Sequence, residues 1–157
     1  MHIFFNMYSL FNIGRAVYYY LGFFWFTVVY FVCLVGGAYL SICFHHYQHD
    51  DYTRSIGASG AICGLLGFYF VLLMMLGMDF ASLGSYMLRV LIPMFITGLS
   101  PGIDGIGHIS GLIVGMACGF LFFWLLFRGQ GFLAVLAEYQ RLFGLEEEVD
   151  DRVIDGV

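Results

Sequence analysis

Three long stretches of this chain carry no formal charge: residues 16–49, 55–78 and 105–127. No other feature limits the fold as strongly. Apolar runs of about 18 or more residues read as membrane-crossing helices, because hydrocarbon offers no partner for an unsatisfied backbone N–H or C=O. Composition agrees: 61% of the residues are apolar, 20% aromatic and only 11% charged, and lysine is absent. A soluble domain carries roughly 25% charged residues, so most of this surface cannot face water. The expected class is all-α, a polytopic transmembrane helix bundle, multi-pass and integral to the lipid bilayer.

The first uncharged stretch is too long for one crossing and must break, and Gly22, after the Tyr18–Tyr20 aromatic belt, is the expected turn. Five helices follow, at about 2–20, 23–44, 57–76, 85–100 and 104–127, with Pro93 interrupting the fourth. Residues 1–128 then form the transmembrane domain. Residues 129–157 form an acidic cytoplasmic tail, with a short amphipathic helix at 132–143 and disorder beyond it. Five crossings place the starts of the first, third and fifth helices on one side. Arg15, Arg89, Arg128 and Arg141 fall on the other side and Arg54 on the side of those starts. The positive-inside rule then puts the C-terminus in the cytoplasm and the three helix starts on the outer face. In a prokaryote that membrane is the cytoplasmic, inner one.

The same parity brings four polar residues to one depth. His2 and Asn6, spaced i, i+4, open the first helix; Ser59 opens the third and His108 the fifth. Strongly polar groups at membrane depth are costly and face the bundle interior. Two small-residue stripes explain how they meet. The third helix carries Gly57, Gly60, Gly64 and Gly67, and the fifth carries Gly107, Gly111, Gly115 and Gly119. Small-xxx-small stripes let helix backbones touch, which brings His108 near Ser59. A serine hydroxyl within hydrogen-bond reach of an imidazole is an activated nucleophile. Backbone N–H groups at the start of the serine helix have no intrahelical partner, and with Asn6 and His2 they supply donors for an oxyanion. Asp104, four residues before His108, is read as a helix cap rather than as a third catalytic group.

These motifs resemble a known family. GASGAICGLLG, with Gly57, Ser59 and Gly60 in a GxSG pattern, is similar to the active-site helix of rhomboid intramembrane serine proteases. GHISGLIVG resembles that family's histidine helix, and HIFFNMYSLFNIG its HxxxN helix. The resemblance covers about residues 1–127. It implies a Ser59–His108 dyad that cleaves transmembrane protein substrates near the outer face, with His2 and Asn6 forming the oxyanion site. It implies five of the family's usual six membrane helices, because the family's first helix and the loop after it have no counterpart here. An N-terminally truncated member is therefore expected. Cys63, one turn after Ser59, stands where many members carry an aromatic that packs on the histidine.

The remaining features exclude other functions. The net charge of −5 comes from the tail, and there is no basic patch for nucleic acid. Cys33, Cys43, Cys63 and Cys118 lie in apolar segments without CxxC spacing, which reads as small buried hydrophobes. HHYQHDDYTR, residues 45–54, is read as a loop rather than a metal site, since adjacency implies no ligand geometry. Neither metal nor cofactor is expected. A small transporter lacks the inverted repeat or intramembrane acid pair it would need. The alternative to a protease is an inactive relative that binds transmembrane segments without cutting them.

Overall fold

A computed structural model describes residues 2–49, 57–79, 81–86, 88–89, 92, 104–127 and 141. Among these the only regular structure is helical. Helix α1 spans His2–Ser9 and runs through a π-helical turn, Leu10–Gly14, into α2, Arg15–Tyr47. Helix α3 spans Ser59–Met75 and α4 spans Gly105–Phe127. Between them residues 81–86 are helical. Of the expected fourth crossing at 85–100, positions 85, 86, 88, 89 and 92 are helical and the others lie outside the described residues. The tail at 129–157 also lies outside them, apart from Arg141.

Among the described residues two helices are long and apolar enough to cross a membrane, Asn6–Tyr47 and Gly105–Leu125, while Ser59–Met75 is apolar but shorter. The first covers 42 residues, about 63 Å of continuous helix against a hydrocarbon core of about 30 Å. It does not run straight. Gly22 has φ 70° and ψ 176°, a backbone region open essentially to glycine alone. A Cβ on Gly14 would sit 3.5 Å from the Phe26 ring, although residues 14 and 26 of an unbroken helix lie about 18 Å apart. The Tyr18 and Phe26 rings also meet, at 6.2 Å between centroids. The chain therefore doubles back at Gly22, as its sequence position predicts.

Close contacts give the direction of each rod. From α3 to α4 the register rises: Gly60 meets Gly107 and Gly111, Gly64 meets Gly111 and Gly115, Gly67 meets Leu112 and Met116, and Val71 meets Gly119. These helices are parallel. From α2 to α4 the register falls: Trp25 meets Phe122, Gly36 meets Val114, Gly37 meets Gly111, and Ser41 and His45 meet Asp104. This pair is antiparallel. Tyr20 lies beside Tyr69, at the far end of α3, so α1 begins at the same end as α3 and α4. The shared end of these three helix starts, expected from parity, is present in the structure.

Helix α3 is the centre of the bundle. Residues 61–68 and 71–73 are all buried, consistent with a segment apolar on every face. The α2 and α4 helices instead expose large apolar side chains, among them Phe31, Val35, Tyr39, Ile113, Phe120 and Trp124. Lipid is the solvent that such surfaces fit.

Candidate active site

The glycine seam sets the site. A Cβ on Gly111 would run into the Gly60 carbonyl, and one on Gly115 into the Gly64 carbonyl. A Cβ on Gly60 would lie 3.3 Å from the Gly107 carbonyl oxygen. No side chain separates the two helices along this line, so they touch backbone to backbone. Gly60 and Gly107 each adjoin a residue of interest, Ser59 and His108. Both neighbours are buried, at 6% and 7% exposure, and both stand in the first turn of their helices.

Ser59 is the first residue of α3. Gly57, two residues earlier, has φ 129°, a left-handed conformation in which any side chain would be strained. A Cβ there would make only ordinary contact with Ser59 Oγ, at 3.9 Å, so it is the backbone conformation that calls for glycine. His108 Nε2 is shielded from solvent and makes no hydrogen bond to Ser59 Oγ, both residues being described. Catalytic hydrogen bonds are often long before substrate binds and tighten only in the complex.

Helix α1 touches α3. Asn6 is half-buried and engaged in a contact, and the His2 backbone is helical. The structure thus brings Ser59 and His108 onto adjoining helix starts, with the helix that carries His2 and Asn6 opening at the same end. Cys63 is buried one turn below Ser59.

Asp104 stands immediately before α4, and its side chain engages α2. Its Oδ2 accepts a hydrogen bond from Ser41 Oγ at 2.5 Å, and its Oδ1 lies 3.1 Å from His45 Nε2. Both partners belong to α2. A trace was available in the sequence: Ser41 and His45 are spaced i, i+4 in an otherwise apolar segment, as His2 and Asn6 are. The acid they serve lies about 60 residues away, and no local pattern names it. The histidine-rich stretch at 45–49 forms no group of metal-ligand type among the described residues, and His45 turns to Asp104 instead.

Outside the buried region, Asp79 caps the helical run at 81–86. Its Oδ1 accepts the backbone N–H groups of Ala81 and Ser82, at 3.1 and 2.9 Å. The Ser82 side-chain and backbone hydrogen bonds hold its carboxyl below the ordinary carboxylate value of 3.8.

The family model described as "Rhomboid domain" matches residues 1–125. The chain is 30% identical over 125 residues to "RHOMBOID-like protein 6, mitochondrial" of Arabidopsis thaliana. That alignment covers 77% of this chain and 39% of the relative, so the chain spans well under half of that protein's length. No solved structure matches.

Proposed function

This chain belongs to the rhomboid family, and from that premise we propose that it is an intramembrane serine endopeptidase acting through a Ser59–His108 dyad. It is a membrane protein, and its substrates on this reading are transmembrane segments of other proteins. The observation that carries the reading is the backbone seam. Parallel α3 and α4, pressed together at Gly60 and Gly107, hold a buried serine and a buried histidine on adjoining first turns.

The chemistry needs no cofactor. Ser59 Oγ attacks the scissile carbonyl carbon while the His108 imidazole takes the hydroxyl proton. Backbone N–H groups at the start of α3 face the developing oxyanion, and His2 and Asn6 add side-chain donors from α1. The imidazolium returns its proton to the leaving amine as the C–N bond breaks, leaving an acyl-serine. Water then attacks that ester with His108 again as base, which frees Ser59. Five crossings, with the site near the outer face and the C-terminus in the cytoplasm, complete the proposal.

The test is a reconstituted assay. Purified chain in liposomes is given a transmembrane substrate and, separately, a fluorophosphonate that labels activated serines. The expected result is labelling at Ser59 and cleavage that Ser59→Ala abolishes. Equal cleavage by Ser59→Ala overturns the dyad. Absence of both labelling and cleavage in the unaltered chain favours a relative that binds transmembrane segments without cutting them.

A further inference from the structure

The carboxylate of Asp104 is nearly enclosed, at 5% side-chain exposure, and His45 beside it is at 14%. Ser41, its other partner, is fully buried. A charged group placed so deeply costs several kcal/mol in general unless hydrogens reach its oxygens. Here each oxygen takes a different partner, and the two partners sit one turn apart on the same face of α2. The acid itself belongs to neither side chain's helix. It is the residue immediately before α4, which starts at Gly105, and it precedes His108 by four positions, about 6 Å along the helix axis.

Two restraints therefore act on the first turn of α4. The glycine seam fixes it laterally against α3. That contact is van der Waals packing of backbone on backbone. The α2 contact acts along and around the axis, since two directional bonds from Ser41 and His45 fix one carboxylate in position and orientation. Gly37 against Gly111, 3.0 Å from a Cβ to the Gly111 Cα, closes the triangle of helices below it.

We propose that Ser41 and His45 are positioning residues: by clasping Asp104 from α2, they set the axial and rotational register of α4 and so aim the His108 imidazole at Ser59. This inference rests on the dyad reading. It adds a third helix to the site without adding a group that touches substrate. Asp104 stabilises the arrangement through its grip on α2 and takes no proton in the reaction.

The clasp is tested by comparing rate with stability in the liposome assay. His45→Leu and Asp104→Leu each strand a buried polar partner. The triple variant Ser41→Ala, His45→Leu, Asp104→Leu replaces every member by an apolar side chain, an exchange that is often neutral for stability. His45→Gln keeps an N–H donor near the Nε2 position. Misplacement of a catalytic group by about 1 Å costs about 100-fold in rate. The expected result is a kcat lowered about 10- to 100-fold in His45→Leu, in Asp104→Leu and in the triple variant, with KM within about twofold of the unaltered chain. His45→Gln should retain kcat within about threefold. The triple variant should melt near the unaltered chain and still be slow, which a merely structural role does not produce.

A triple variant that recovers stability and rate together overturns the proposal. So does a raised KM with unchanged kcat, which assigns these residues to substrate binding. Ser59→Ala, run alongside, separates the two layers. If it cleaves as the unaltered chain does, the dyad fails and the clasp with it. If cleavage depends on Ser59 and ignores the clasp variants, the clasp alone fails.

Discussion

At the scale of single residues, a dyad behaves as a unit. Loss of His108 should cost about as much as loss of Ser59, and the double variant should be no worse than either. His108→Ala, Ser59→Ala and the pair should each lower kcat at least about 1,000-fold, measured in liposomes with a fluorogenic transmembrane substrate. Additive losses would mean independent roles. Asp79 gives a second prediction, this one of pH. Its carboxyl is held below 3.8 by the hydrogen bonds from Ser82. The ionised form is thus favoured in the folded state, and the cap's contribution is complete above 3.8. It fades as pH falls below that value through the lower folded-state value. Amide protection at residues 81–86, taken relative to the intrinsic exchange rate at each pH, should fall over that acid range, and Asp79→Ala should show the lower protection already at neutral pH.

At the scale of elements, the glycines do not all matter alike. Gly115→Ala drives a methyl into the Gly64 carbonyl, and Gly111→Ala drives one into the Gly60 carbonyl. Backbone cannot step aside as a flexible side chain can, so each should cost about 1–3 kcal/mol or more of stability and separate Ser59 from His108. A Cβ at Gly105 meets nothing within 4 Å, so Gly105→Ala is the matched control and should leave unfolding temperature unchanged. Gly22→Ala also meets no neighbour, yet its φ of 70° and ψ of 176° should still cost about 1–3 kcal/mol. Thermal unfolding in detergent checks all four variants.

This seam was legible in the sequence, because four-residue spacing of glycines in an apolar run is a local pattern with one physical use. The break at Gly22 was legible for a similar reason, since a bilayer is too thin for the uninterrupted run. Three things were not. The π-helical turn at Leu10–Gly14 has no composition of its own. The extension of α2 to Tyr47, past the expected 44, adds only His45, His46 and Tyr47, which no helix stop signal separates from the apolar run before them. The partners of Asp104 depend on which helix lies beside α4, and sequence parity gives a helix's direction but not its neighbours.

For the whole molecule, chain direction makes a checkable statement about sidedness. The start of α3 and the end of α2 share one face of the bundle, and the end of α3 lies on the opposite face. Tyr47 and Met78 are both exposed and mark those two faces. In a cysteine-free background, Tyr47→Cys and Met78→Cys should react with a membrane-impermeant maleimide from opposite sides of sealed vesicles. Labelling of both from one side would overturn the arrangement. The parallel setting of α1, α3 and α4 also has an electrical consequence. Each helix start carries about half a positive elementary charge and each helix end about half a negative one. Among the described helices three starts and one end, that of α2, meet on this face, a balance of about one positive charge, and the end of the proposed fourth crossing would halve it. In a medium where charges are weakly screened, that field acts over several ångströms. The order in which the chain threads the bundle thus favours a negative charge at Ser59 before any side chain contributes.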